Sequence, residues 1–93
     1  MPRYLIVRSF EVDSEQMPAV GRRSREIAEE KFPEITWEHS HVVVTDDGIV
    51  LTYCIYDAPS EEIVREHARE LGKHQIDALY EIAGDVTPAD FPA

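Results

Sequence analysis

The chain is poor in the residues from which several common functions are built. It has one cysteine, Cys54, so no disulfide can form within it. Its four glycines are scattered, and no glycine-rich phosphate loop, HExxH pair, CxxC pair or nucleophile elbow occurs. Basic residues are few: 9 Lys and Arg stand against 19 Asp and Glu, for a net charge of −10. Such a surface repels phosphate backbones and anionic lipid, which argues against nucleic acid and membrane as partners. It attracts cations, but diffusely. No segment approaches the roughly 20 apolar residues that span a bilayer. The opening MPRYLIVRSF has neither a long apolar run nor a cleavage signal, so no signal peptide is expected and the cytoplasm is the expected location.

What is present suffices for a core. Apolar residues make up 43% of the 93 positions and are spread along the whole length, which predicts one domain over residues 1–93. Residues 3–10, RYLIVRSF, read as a strand with Tyr4, Ile6, Arg8 and Phe10 on one face and Leu5, Val7 and Ser9 on the other. Asp13 and Ser14 are candidate N-caps for a helix whose regular part begins near Met17, because Pro18 is tolerated only in a first turn. Met17, Val20, Ser24, Ile27, Ala28 and Lys31 recur at helical spacing, and Phe32-Pro33 ends the run. Residues 35–45 form a second strand and residues 49–56 a third, joined by Asp46-Asp47-Gly48. That tripeptide suits a type I turn with its glycine left-handed. DAPSEE opens a second helix with the stripe Ile63, Val64, His67, Ala68 and Leu71, and Gly72 is its natural C-cap. Residues 77–86 read as a fourth strand despite poor strand formers, and TPADFPA as an irregular tail crossing a surface or a partner.

The order β-α-β-β-α-β predicts an α+β, ferredoxin-like sandwich: a four-stranded antiparallel sheet with two helices on one face. The first three strands carry apolar residues on both faces, so the open face needs a cover. A second copy of the chain is the simplest one, and a homodimer is expected.

The candidate site residues are histidines and their neighbours. His39 and His41 stand two apart on a strand, hence on one face and about 6.5–7 Å apart. Two imidazoles so placed can converge on one divalent ion, with nickel, zinc and copper all suited. His67, His74, Glu81 and Tyr53 are candidates to complete the set, while Glu38 points to the other face. His67 lies inside the apolar stripe of the second helix and must find a hydrogen-bond partner there. If His39 faces the helices, it meets His67 between helix and sheet, in a ligand pocket that Tyr53 and Trp37 would help line. The hairpin register decides more. Pairing Thr45 with Ile49 puts His41 opposite Tyr53 and His39 opposite Ile55, whereas a one-residue slip would bring Cys54 to the histidine face. His74 is expected in a loop, in solvent.

TWEHSHVVVTDDGIVLTYCIYDAPSEEIVREHARELG resembles a small bacterial family of unestablished function, in places termed nickel-binding proteins. The likeness rests on the opening MPRYLIVR, on Trp37 followed by His39-Ser40, on the Asp47-Gly48 turn, on CIYDAP and on His67. Each motif is short; their order and spacing over most of the chain carry the match. The resemblance implies a dimeric ferredoxin-like fold and nickel, or another divalent metal, at the dimer surface. The family often has tyrosine at the position of His41, so a site that uses His41 would be particular to this chain.

Three readings follow. The first is a metal-binding protein using His39, His41 and His67. The second is a dimeric α+β barrel that binds an organic ligand or catalyses a small reaction through His39, His67, Tyr53 and Trp37. The third is an acidic interaction domain. The sequence favours the first by resemblance and leaves enzymatic activity open.

Overall fold

A computed structural model of the protein describes residues 1–91. The chain forms β1 (Arg3–Phe10), α1 (Met17–Lys31), β2 (Thr36–Val44), β3 (Val50–Asp57), α2 (Glu61–Leu71) and β4 (His74–Glu81). Single 3-10 turns lie at Ser14–Gln16 and Pro88–Asp90. The strands make one sheet in the order β2-β3-β1-β4, and all neighbours are antiparallel. The architecture is thus α+β, with two helices and a four-stranded antiparallel sheet. No helix among the described residues is long and apolar enough to cross a membrane.

Alternation sorts the sheet into two faces. Tyr4, Ile6, Arg8 and Phe10 of β1 and Val50, Thr52, Cys54 and Tyr56 of β3 are buried. Their cluster takes in Val64 of α2, with Phe32 and Ile63 packed against it, so this is the face the helices cover. Each fully buried aliphatic side chain contributes roughly 1.5–3 kcal/mol. Leu5, Val7, Leu51 and Ile55 turn the other way and are only half-buried. β2 is an edge strand, exposed at every position but Ser40.

The local signals explain the element ends. Gln16 Oε1 accepts from the Asp13 amide at 2.9 Å, so Asp13 caps the short 3-10 turn, and the α-helix proper starts at Met17 with Pro18 in its first turn. Ser60 Oγ accepts from the Ile63 amide and caps α2, whose first turn carries Glu61 and Glu62. Gly72 ends α2 at φ 65°, a conformation that glycine takes without steric cost. In the hairpin, the Gly48 amide donates to Thr45 O at 2.9 Å and the Thr45 amide to Ile49 O at 2.9 Å.

Two expectations need correction. β4 runs from His74 to Glu81, starting three residues and ending five residues earlier than its sequence suggests. Its span is fixed by its partner: β1 pairs Phe10 with His74 and Tyr4 with Glu81, and after the Ile82 amide reaches Arg3 O the partner strand is used up. The poor strand formers Asp77 and Ala78 are carried by this ladder, with a register shift opposite Val7 and Arg8. His74 is therefore a half-buried strand residue, stacked on Phe10 with ring centroids 4.9 Å apart, and no loop residue. Of the tail, Pro88–Asp90 form an exposed turn, and residues 92–93 lie outside the described residues.

Two glycine substitutions should move stability in opposite directions. Gly48→Ala places a side chain at φ 84° and should cost about 1 kcal/mol. Gly21→Ala, inside α1 with its new Cβ 4.0 Å from the Trp37 ring, should gain about 0.5–1 kcal/mol. Urea unfolding of the two variants checks both signs.

Candidate functional sites on the two faces of the sheet

The hairpin pairs Thr45 with Ile49, and the register follows: His39 faces Ile55, Ser40 faces Cys54 and His41 faces Tyr53. His39 and His41 thus share the open face, while Cys54 lies on the helix side. The two imidazoles stand edge to face, with centroids 5.3 Å apart. Both residues are exposed. Tyr53 is the neighbour across the strand from His41.

A bulge sets what lies beside them. β2 pairs Trp37 with Tyr56 and His39 with Ile55, leaving Glu38 as the extra residue. In a regular strand Trp37 and His39 would share a face; the inserted residue turns them to opposite faces. Trp37 lies on the helix side, its ring 6.5 Å from that of Tyr56 and its Nε1 donating to Ser40 Oγ at 2.9 Å. Glu38 is held by Arg3, whose Nε and Nη2 reach its two oxygens at 2.8 and 3.0 Å, and Asp85 joins the same guanidinium. The hydrogen bond from Arg3 holds the Glu38 carboxyl below its ordinary range.

His67 is on the other side of the sheet from the pair. It is 1% exposed, packed edge-on to Phe32 and tilted against Tyr56. Its Nε2 donates to the Ser24 carbonyl of α1 at 3.0 Å, with Ser24 Oγ at 3.4 Å. This bond fixes the neutral tautomer and joins α2 to α1. His74 Nδ1 similarly donates to Gly72 O at 2.8 Å. Each ring is thereby tied to the backbone through one nitrogen, His67 Nδ1 being buried without a partner among the described residues, and burial is the main reason each sits below its ordinary pKa.

The anticipated groupings accordingly separate. His39, His41 and Tyr53 come together on the open face; Trp37 and His67 belong to the helix side, so neither the His39–His41–His67 trio nor the His39–His67–Tyr53–Trp37 pocket forms within one chain. Among the described residues no group of three or more His, Cys, Asp or Glu side chains is disposed to hold a metal ion.

The helix side holds a feature that no sequence motif announces. A cavity of about 470 Å³ lies between α1 and the sheet, walled by Trp37, Ser40, Thr52, Cys54 and Tyr56, with Arg8 at its base. Arg8 is 2% exposed, its guanidinium 5.3 Å from the centre of the Tyr56 ring. The signal was visible in β1, where an arginine interrupts the buried alternation Tyr4, Ile6, Phe10.

A model described as nickel responsive protein SCO4226-like matches residues 4–82. The chain belongs to the SCO4226-like family. A comparison with curated proteins returns no match. Among solved structures, the C-terminal domain of the MgtC protein from Mycobacterium tuberculosis superposes with a TM-score of 0.59 over 90% of this chain and 88% of that one, at 15% identity. At that identity the likeness speaks for the fold alone. The family description names nickel, and two imidazoles on an accessible face fall short of a full ligand set for such an ion.

The buried histidines give the SCO4226-like chain a defined response to acid. The ordinary imidazole value is 6.5, and burial lowers that of folded His67. Below that value the unfolded chain takes up a proton that the folded chain refuses, so stability is full above it and falls as pH drops. The urea midpoint should be lower at pH 5.5 than at pH 7.5. His67→Gln, which keeps an N–H donor without a titrating ring, should lose part of that difference, with His74 supplying the rest. An unchanged difference in His67→Gln would contradict this assignment.

Proposed function

We propose that this protein binds nickel(II) on the open face of its sheet, with His39 and His41 as the paired nitrogen donors of a half-site that a second copy completes. The observation that carries this reading is the pair itself: two exposed imidazoles 5.3 Å apart on the sheet face opposite the helices, in a chain of a family described as nickel responsive. Imidazole suits nickel, and two such donors are half of a four-nitrogen set. A two-fold axis near β2 would bring the pair of each chain against its equivalent. The surroundings fit a covered face. Leu5, Val7, Leu51 and Ile55 lie half-buried beside the histidines, and Val43 and Tyr53 are exposed there. Apolar area of this kind favours self-association.

The dimer, in this reading, is two ferredoxin-like domains joined by their sheets. The strand order β2-β3-β1-β4 with helices connecting β1 to β2 and β3 to β4 supports that fold. A single buried thiol, Cys54, accords with a cytoplasmic setting.

Calorimetric titration of tag-free protein with nickel chloride tests the proposal. The wild type should bind at least tenfold more tightly than the His39→Ala, His41→Ala double variant. Binding should weaken in acid, because a protonated imidazole has no lone pair for the ion. Light scattering should give twice the monomer mass. Equal affinities for the two proteins would remove the metal reading, and a stable monomer at micromolar concentration would remove the shared site.

A further inference from the structure

Arg8 poses a problem that the metal site does not touch. It lies on the opposite side of the sheet from His39 and His41, and it is almost wholly withdrawn from water. Among the described residues its Nε and Nη2 have no hydrogen-bond partner. The ring of Tyr56 beneath the guanidinium offers a cation–π contact, which is worth far less than solvation of the charge. No carboxylate lines the cavity that Arg8 enters. A buried cation with no carboxylate beside it is costly unless something neutralises it, and this one lines a cavity.

We propose that the cavity between α1 and the sheet is a binding site for a small organic monocarboxylate, with Arg8 as its anchor. The guanidinium presents a planar fork of donors that matches a carboxylate. The other walls choose the rest of the molecule. Trp37, Phe10 and Val42 offer apolar contact, and the hydroxyls of Ser40 and Thr52 can each serve one polar substituent. About 470 Å³ falls within the range of small-molecule sites. One cation balances one negative charge. A dianionic phosphate would leave a charge uncompensated, with a protein of net charge −10 around it. The cavity meets solvent beside the edge strand, where Trp37 and Val42 are exposed.

Benzoate and cyclohexanecarboxylate are the probes, each compared with its neutral amide and with inorganic phosphate. The readouts are fluorescence of the single tryptophan, Trp37, and amide chemical shifts. All titrations contain EDTA and are repeated on the His39→Ala, His41→Ala variant, so loss of the metal site leaves this result unchanged. At least one acid should bind tenfold or more tightly than its amide, with shifts centred on Arg8, Ser40 and Thr52. Arg8→Met should lose that preference. Because it removes an unpaired buried charge, it should also raise the thermal midpoint, by about 4 °C or more. The proposal is overturned if acids and amides bind alike, if neither acid binds at millimolar concentration, or if phosphate displaces both. It is equally overturned if Arg8→Met folds and keeps the acid preference; the acid–amide comparison on the wild type stands whatever that variant does.

Discussion

The pairing of Thr45 with Ile49 governs the chemistry of both faces. Two short bonds close the turn: the Thr45 amide to Ile49 O, and the Ile49 amide to Thr45 Oγ1 at 3.0 Å. Gly48 allows this geometry because its φ of 84° is open to it. From that turn the ladder counts back in twos, placing Val42, Ser40 and Cys54 toward the helices and His41, His39 and Tyr53 away from them. A slip of one residue would exchange the two sets and expose Val50, Thr52, Cys54 and Tyr56, the inner wall of the core. Loss of that burial is what holds the register, and the imidazoles are positioned as a by-product of core packing.

The two faces then divide the polar groups by type. The outer face carries the exposed imidazole pair of His39 and His41. The inner layer carries a fixed positive charge, a hydroxyl-lined wall and a neutral imidazole locked to a helix carbonyl. The sheet separates them, so neither set perturbs the other directly. His67 belongs to the scaffold in this arrangement. Its bond to Ser24 joins the two helices above the cavity, and its burial beside Tyr56 keeps it uncharged near Arg8, where a second cation would be repelled.

Much of this was legible in the residues. The alternation of RYLIVRSF, the Asp-Asp-Gly turn and the Ser60 cap are local signals, and each element they mark occurs within a residue or two of its expected place. The relative face of His39 and His41 also followed from period two. The site groupings turned on two points: the hairpin register keeps His39 and His41 on the face away from His67, and a bulge at Glu38 turns Trp37 to the other face. The bulge at Glu38 has no signature in TWEHSH, and Glu38 there meets Arg3, a residue of another strand. A pairing irregularity of this kind cannot be read from local pattern, and it puts Trp37 on the face opposite His39. β4 was misplaced for a related reason: its limits belong to the partner strand that pairs with it. Arg8 was readable and its meaning was not, because an inward arginine acquires significance only when no carboxylate is found beside it.

One consequence of the exposed edge reaches past any single molecule. β2 ends in Val42, Val43 and Val44, all open to solvent, with the outer backbone groups of the strand unpaired within the sheet. Such an edge is a template for further strands. Stacking beyond a pair is opposed by repulsion among molecules of like sign, reinforced locally by Asp46 and Asp47 beside the valines. Near the isoelectric point of about 4.6 that colloidal protection vanishes, just where the buried histidines are also loosening the fold. Mildly acidic storage should therefore favour edge-to-edge association of this protein.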